Sequence, residues 1–313
     1  MMREIDIYQV DAFTDTVFGG NPAGVVPDAQ GLTEDVMQKI AREMALSETA
    51  FILGTPGAAK GTEFDVRFFT PWNEVDLCGH ATIGSFWLLS EMGIIRTGEG
   101  QARVHQNTKA GRLPVDVLGR GGKPVRVMMT QNPPSVLGKL SPDECTELER
   151  ILAAPEGSIR GFEGLRGASP EIVSTGLPDL IVPVVSREAL MAMRPNMAAL
   201  IDFCNARKII SVHAFCLDPI DPANTVHCRD FSPAVGVPEE SATGTASGAT
   251  GSYLVLNRLV KVQPVTTIVC EQGHILKRPS TIFVEVESEG RTVTCVRVGG
   301  TAVTVLEGKI RLP

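Results

Sequence analysis

Two short stretches carry the residue types that do chemistry, and both present them in the same order. The first, DLCGHATIG, spans residues 76–84, and the second, EESATGTAS, spans residues 239–247. In each, a carboxylate is followed by a small residue, a glycine, a histidine or threonine, an alanine and a hydroxyl residue. A Phe-hydroxyl-Pro sequence precedes each stretch, and an apolar or small-residue run typical of a buried helix follows it. The repetition predicts two similar lobes.

A glycine turn that leads into a helix creates a site for a negatively charged group. The first backbone N–H groups of a helix have no partner within the helix, and they lie at the positive end of its dipole. Gly79 and Gly244 stand at this point in the two stretches. We therefore expect both turns to bind a carboxylate or phosphate group of a small-molecule ligand.

The side chains beside the two glycines differ in chemistry. Cys78 precedes the first glycine, where a helix N-terminus stabilises a thiolate, and His80 follows it and can exchange a proton near neutral pH. Thr243 and Thr245 hold the matching positions in the second stretch and offer only neutral hydroxyl groups. The pattern predicts ligand binding at both turns and acid–base chemistry at the first.

Glu48 and Asn21 are two further candidates. Glu48 stands at the entrance of a short apolar strand, a position where site residues are often placed. Asn21 follows two adjacent glycines, which allow a backbone to approach a ligand closely. From the residues alone, a solvated glutamate and a plain hairpin connection remain open as alternatives.

The sequence lacks the motifs of metal and cofactor sites. Its five histidines show no HxH or HxxxH spacing, and its seven cysteines show no CxxC spacing. The GxSxG, Walker and GxGxxG patterns of serine hydrolases, NTPases and dinucleotide enzymes do not occur. We therefore expect neither a metal ion nor an organic cofactor.

The composition favours a soluble, cytoplasmic protein. The chain has 313 residues and a formal net charge of −7, without a Lys/Arg cluster that would attract nucleic acid or an anionic membrane. No apolar stretch is long enough to cross a membrane, and the first residues lack the apolar core of a signal peptide. Because the cysteines are odd in number and show no paired spacing, we expect reduced thiols rather than disulfide bonds.

The order of predicted elements favours an α+β fold of two similar lobes. Strands dominate both halves, and each half has one glycine turn that leads into a central helix. We expect each lobe to be a curled, mostly antiparallel sheet wrapped around its central helix, with the active site in the cleft between the lobes. The predicted lobes are 1–120, completed by a C-terminal strand at about 300–313, and 121–299.

Five motifs occur in the order seen in one enzyme family. They are NPAGVV at 21–26, LSETAF at 46–51, CGHAT at 78–82, ATGTA at 242–246, and QG with RPS within 272–280. With these motifs the chain resembles the phenazine-biosynthesis PhzF-like isomerases over nearly its whole length. The resemblance implies a diaminopimelate epimerase-like fold, a homodimer, and cofactor-independent proton transfer at carbon in a small carboxylate-bearing metabolite.

The resemblance also implies roles for the candidate residues. Glu48 matches the family's catalytic glutamate, the general acid/base, and His80 matches a histidine that binds substrate and helps to move the proton. Glu240 aligns with the family's active-site aspartate and completes the expected catalytic set. We expect the substrate to contact the following residues: Asn21, Cys78, Gly79, Thr243, Gly244 and Thr245.

Three positions depart from the family pattern. Thr245 stands where the family usually has serine, which keeps a hydroxyl group. Glu240 is one methylene longer than the family's aspartate, and Ser241 replaces a proline that stiffens the loop. Because a small displacement of a site carboxylate can change a rate by orders of magnitude, these departures leave the phenazine-pathway substrate unassigned.

Two other functions remain open at this stage. In related proline-racemase-like enzymes two cysteines act as opposed bases, and the pair Cys78 and Thr243 is reminiscent of hydroxyproline dehydratases of that superfamily. The departures at Glu240 and Ser241 also allow a metabolite-binding protein that does not turn over its ligand.

Overall fold

A computed structural model describes residues 4–54, 62–159 and 167–312 of the chain. The first part of the chain contains the following elements: β1 Glu4–Ala12, β2 Asn21–Val26, α1 Glu34–Met44, β3 Thr49–Leu53, β4 Glu63–Phe69, β5 Glu74–Val75, α2 Gly79–Glu91, β6 Gly100–Thr108, β7 Gly111–Arg120 and β8 Lys123–Gln131. The fold class predicted from the sequence, α+β with mostly antiparallel pairing, is confirmed.

The second part contains a longer series of elements: β9 Ser135–Lys139, α3 Pro142–Leu152, β10 Glu171–Ser174, β11 Pro178–Pro183, α4 Arg187–Ala192, α5 Met197–Arg207, β12 Ser211–Cys216, β13 Val226–Ser232, β14 Val237–Glu240, α6 Gly244–Leu256, β15 Val265–Gln272, β16 Ser280–Glu289, β17 Thr292–Gly300 and β18 Ala302–Arg311. The sequence of 135–139 has little period-two alternation and predicts a loop, but the segment pairs with β10 as the strand β9.

The chain forms two compact units. One unit consists of Met1–Thr130 together with Gly299–Pro313, and the other is Gln131–Val298. The sequence placed the first boundary at 120/121, in the turn between β7 and β8, whereas the contacts place it at the end of β8.

In the first unit the strand order is β18–β1–β2–β3–β4–β6–β7–β8. Strand β1 pairs antiparallel with both β18 and β2. Two parallel pairs interrupt the antiparallel pattern: β2 with β3, which are connected through α1, and β4 with β6, which are connected through α2. Strand β5 pairs antiparallel with β4 just before α2 begins.

The second unit repeats this pairing scheme. Strand β11 pairs parallel with β12, across α4 and α5, and β13 pairs parallel with β15, across α6. Strand β14 pairs antiparallel with β13 just before α6 begins, as β5 does with β4. The two glycine turns of the sequence therefore stand at equivalent points of one repeated topology.

The helices that follow the glycine turns are the central helices of their units. Helices α2 and α6 both have 13 residues, and almost every residue in each is buried. A helix that is apolar all round has no face for solvent, so both helices must be covered by their sheets. Among the described residues, no helix combines the length and hydropathy that a membrane span requires.

In the sequence, Thr33 before two acidic residues and the run SPDE at 141–144 predict helix starts, and the helices α1 and α3 begin at these caps. Thr33 accepts a hydrogen bond from the backbone N–H of Val36 at the start of α1, and Ser141 forms a reciprocal capping box with Glu144 at the start of α3. Helix α1 ends at Ala45, which adopts a left-handed conformation with φ 52°. That turn delivers the chain to Glu48 and β3.

Candidate active site

The backbone of Glu48 is fixed at the junction of two strands. Its carbonyl oxygen accepts a hydrogen bond of 3.0 Å from the backbone N–H of Gly24 in β2, directly before the parallel β2–β3 pairing begins. The Glu48 side chain is 18% exposed, so it lies mostly inside the protein but can still be reached. The sheet therefore fixes the position of Glu48 through its backbone, and the side chain is not needed for this purpose.

His80, in the first turn of α2, faces this glutamate. The Nε2 atom of His80 lies 3.3 Å from Glu48 Oε2 and 3.3 Å from the hydroxyl of Ser47. Glu48 Oε2 is buried and has no hydrogen-bond partner among residues 4–54, 62–159 and 167–312. The carboxylate therefore retains acceptor capacity beside a buried imidazole.

Cys78 lies against the same imidazole ring. Its sulfur is 3.4 Å from His80 Nδ1 and 3.9 Å from His80 Nε2. The thiol is buried and lies within hydrogen-bond distance of the His80 ring.

The start of α2 offers free backbone donors. The N–H groups of Gly79, His80 and Ala81 have no acceptor among the described residues, and the first intrahelical bond runs from Thr82 to the Cys78 carbonyl at 3.0 Å. A Cβ built on Gly79 would meet only the terminal methyl of Met129, at 3.8 Å. Packing therefore does not require glycine here, and the space outside the helix end is open to a ligand.

Replacing Gly79 with alanine should separate ligand binding from folding. We expect the free energy of unfolding to stay the same or rise, because alanine favours helix and meets no clash. We expect KM to rise about tenfold or more, because the new methyl group occupies the approach to the free N–H groups. Urea unfolding and steady-state kinetics measure the two effects. Gly100→Ala, in open space in the same unit, is the matched control and should change neither.

Burial lowers the pKa of His80 from its ordinary value of 6.5, and the Glu48 carboxylate opposes this shift only in part. The folded protein therefore keeps His80 neutral to a lower pH than the unfolded chain does. As pH falls below 6.5, the unfolded chain binds the extra proton first, so stability is lost on acidification and is unaffected above 6.5. Urea unfolding at a series of pH values should show a shallower acid loss for His80→Gln than for the wild type; equal slopes would contradict the assignment.

The second glycine turn is organised by Gln272. Its side-chain Oε1 accepts a hydrogen bond of 3.2 Å from the backbone N–H of Thr243, and its Nε2 donates to the Glu240 carbonyl at 2.9 Å and to the Thr243 hydroxyl at 3.1 Å. The Thr243 hydroxyl in turn donates to the Glu240 carboxylate at 2.9 Å. Gln272 is fully buried. This network holds the residue before α6 and the carboxylate of Glu240 in one arrangement.

The turn that follows β15 supports the same network. Ser280 donates its hydroxyl hydrogen to the Ser241 carbonyl at 2.8 Å and lies 3.2 Å from the Gln272 carbonyl. Gly273 has φ 80° and leaves no room for a Cβ, because the carbonyl oxygens of Arg278 and Ser241 stand in that space. The RPS motif therefore supports the turn through its serine.

The first of the two adjacent glutamates before α6, Glu239, forms a salt bridge. Arg229 binds the Glu239 carboxylate through two nitrogens, at 2.8 and 2.9 Å, and the same guanidinium donates to two carbonyl groups near α4. Glu239 thus anchors β14, and Glu240 presents its carboxylate to the turn.

The predicted site residues fall into two groups, one in each unit. The first group contains Glu48, Cys78, Gly79 and His80, and the second contains Glu240, Thr243, Gly244 and Thr245. Asn21 was expected in a turn, but it is the first residue of β2, is buried, and pairs with Ala12. Ser47 and Gln272 stand inside the LSETAF and QG motifs, but the sequence indicates neither the contact of Ser47 with His80 nor the hydrogen bonds of Gln272.

Two groups of side chains bring possible metal ligands close together. Glu48, Cys78 and His80 form one, and His227, Glu271 and His274 form the other; in each the ligand atoms lie within 4.8 Å of one another. The expectation of no metal site rested on spacing along the chain. Spacing cannot reveal groups that strand pairing assembles from distant segments.

Comparison with known proteins identifies the family. The family model described as phenazine biosynthesis-like protein matches residues 10–308. The chain is 34% identical to a Clostridium acetobutylicum protein named an uncharacterized isomerase, with 100% of both chains covered. It is 30% identical to the trans-2,3-dihydro-3-hydroxyanthranilate isomerase of Pseudomonas aeruginosa, with 97% of this chain and 98% of that one covered.

Solved structures agree with this assignment. The Bacillus anthracis phenazine biosynthesis protein of the PhzF family superposes with a TM-score of 0.86 at 31% identity, covering 99% of each chain. A hydroxyproline epimerase from Agrobacterium vitis, at 15% identity, shares the fold with a TM-score of 0.64 over 99% of this chain and 93% of that one. The chain therefore belongs to the phenazine-biosynthesis-like PhzF family, and it is an isomerase with the diaminopimelate epimerase-like fold.

Proposed function

We propose that this isomerase moves a proton between carbons of a small carboxylate-bearing metabolite without a cofactor, with Glu48 as general acid/base. The observation that supports this is the state of Glu48 Oε2, which is buried, makes no hydrogen bond to the described residues, and lies 3.3 Å from His80 Nε2. A buried acceptor that contributes no hydrogen bond to the fold is available to take a proton from a substrate.

The first half of the reaction is removal of a proton. Glu48 takes the proton, and the electron pair of the broken C–H bond moves into the adjacent double bond or carboxylate. Negative charge then develops on the substrate, and the free N–H groups at the start of α2 stabilise it. His80 is neutral because it is buried, so its imidazole can hydrogen-bond the substrate without trapping the carboxylate in a strong ion pair.

The second half returns the proton. The protonated Glu48 gives it to a different carbon, so that one C–H bond breaks, another forms and a double bond shifts. No electrons leave the substrate, and the step is balanced without an oxidant or reductant. We propose that His80 assists this transfer, and that Glu240 and Thr243 with the start of α6 form a binding site for a polar group in the second unit.

We infer the substrate class from the free backbone N–H groups at the start of α2, and not from the names of similar proteins. Free helix N–H groups favour a carboxylate. The Pseudomonas aeruginosa relative is named for trans-2,3-dihydro-3-hydroxyanthranilate, and that compound is the first to test. Because Glu240 and Ser241 replace an aspartate and a proline of the family pattern, amino acids, hydroxy acids and other cyclohexadiene carboxylates belong in the same panel.

The test is product formation by the full chain with each panel member, followed by NMR without added cofactor. Isomer formation by both the wild type and the Cys78→Ser variant supports the proposal. Loss of activity in Cys78→Ser would favour the racemase-type alternative, and tight binding without conversion would favour a binding protein. Serine is preferred to thiol alkylation, because an adduct on Cys78 would fill the space beside His80 and block the site whatever the role of the sulfur.

One observation weighs against the racemase-type alternative. That chemistry requires a base at the position of Thr243, whose hydroxyl donates to Glu240 and accepts from Gln272. A hydroxyl group engaged in this way serves to organise the turn, and it is not a base near neutral pH.

A further inference from the structure

The cluster of His227, Glu271 and His274 lies outside the two groups of predicted site residues. His227 is in β13, Glu271 is in β15, and the parallel pairing of these strands places the two residues directly side by side. His274 opens the short helical turn that follows β15, and its ring centroid is 5.0 Å from that of His227. The isomerase chemistry proposed above does not use these three residues.

Glu271 is saturated with hydrogen bonds. One oxygen accepts from the backbone N–H of Ile220 at 2.7 Å and lies 3.0 Å from His227 Nδ1. The other accepts from the backbone N–H of Asp221 at 2.6 Å and from the Asn224 side chain at 2.9 Å. Donors therefore occupy both oxygens, which is the pattern of an ionised carboxylate.

That carboxylate fixes the tautomer of His227. An ionised carboxylate can only accept, so Nδ1 of His227 must carry the hydrogen, and in the neutral ring the lone pair lies on Nε2. A carboxylate that holds a histidine through Nδ1 is the arrangement by which proteins orient metal-binding imidazoles and raise their basicity. His227 is almost completely buried, so its ring has a fixed direction.

His274 provides an independent sign of a missing partner. Its Nδ1 atom is buried and makes no hydrogen bond to the described residues. Two imidazoles bound to one ion at about 2.0–2.1 Å, with a near-tetrahedral angle between them, hold their ring centroids roughly 5 Å apart. The observed separation is 5.0 Å.

We propose that His227 and His274 bind one divalent transition-metal ion of the zinc, cobalt, nickel or copper class, with Glu271 as the positioning residue that orients His227. Imidazole ligands select such ions over Mg²⁺ and Ca²⁺, which prefer oxygen. A bound ion would tie the turn after β15 to β13. That turn begins one residue after Gln272, which holds Thr243 and Glu240 in place.

Titration of the chelator-treated, untagged full chain with Zn²⁺ tests the proposal, with Cu²⁺ electron paramagnetic resonance to count nitrogen ligands. We expect one ion per chain, two nitrogen ligands, and a rise in thermal stability on binding. His274→Gln should abolish this binding, and Glu271→Gln should weaken it about 10- to 100-fold. His274 is partly exposed, so its variant is expected to fold, and an unchanged ion-free unfolding midpoint verifies this.

Two controls make the result decisive. His105→Gln removes a partly buried histidine of β6 and should leave Zn²⁺ binding unchanged. The double variant Glu48→Gln/Cys78→Ser removes two possible ligands of the other group and should also bind normally. No binding by the wild type, equal binding by His274→Gln, or loss of binding in the double variant would each overturn the proposal.

Discussion

Glu48→Gln should lower kcat by about 1000-fold, which corresponds to roughly 4 kcal/mol of transition-state stabilisation. Glutamine has nearly the same shape as glutamate but cannot take a proton. The fold should be unaffected, because Glu48 Oε2 makes no hydrogen bond to the described residues and the backbone carbonyl that binds Gly24 is retained. We expect KM to change little, because the helix N–H groups that hold the substrate remain in place.

Steady-state kinetics and urea unfolding on the same preparations measure this effect. Glu43→Gln is the matched control, because Glu43 is an exposed residue of α1 close in sequence to Glu48. The control should show wild-type kinetics and wild-type stability. A Glu48→Gln enzyme that keeps more than a tenth of wild-type kcat would exclude Glu48 as the general base.

Gly273→Ala should cause a large loss of stability. Gly273 adopts a left-handed conformation with φ 80° and ψ 0°, and a Cβ there would run into the carbonyl oxygens of Arg278 and Ser241. Both oxygens belong to backbone, so neither can move aside as a flexible side chain would. Adding the cost of the conformation to that of the clash, we expect a loss of about 3 kcal/mol or more.

Gly236→Ala separates the two contributions. Gly236 has nearly the same backbone conformation, φ 88° and ψ 6°, in the same unit, but nothing lies within 4 Å of its Cβ position. We expect this control to lose about 1 kcal/mol in urea unfolding, the cost of the conformation alone. Equal losses in the two variants would show that the close approach at Gly273 has no energetic weight. The Gly273→Ala protein should also lose activity, because the Gln272 network is displaced.

Local signals in the sequence predicted much of the fold. Capping residues placed the starts of α1 and α3, because a cap acts within one helical turn. The repeated glycine turn predicted two similar units with central helices, and the strand pairings of the two units confirm that repetition. Each of these signals depends on residues that are close in the chain.

Contacts between distant segments were not predictable from spacing. Glu48 and His80 meet because β2 and α2 each lie next to β3, and only the family resemblance linked their roles beforehand. The cluster of His227, Glu271 and His274 depends on parallel pairing of two strands separated by α6. The sequence does not predict β9, because most of its residues are exposed and apolar and polar residues do not alternate along it. Its strand conformation depends on pairing with β10.

The most direct test of the account is to follow the breaking of the substrate C–H bond in heavy water. With the substrate found in the panel, NMR reports the carbon that loses hydrogen and the carbon that gains it, for the wild type and for Glu48→Gln. We expect the wild type to move hydrogen between these two carbons, and Glu48→Gln to leave both unchanged over about 100 wild-type turnover times. Hydrogen transfer by Glu48→Gln at the wild-type rate would contradict the central claim.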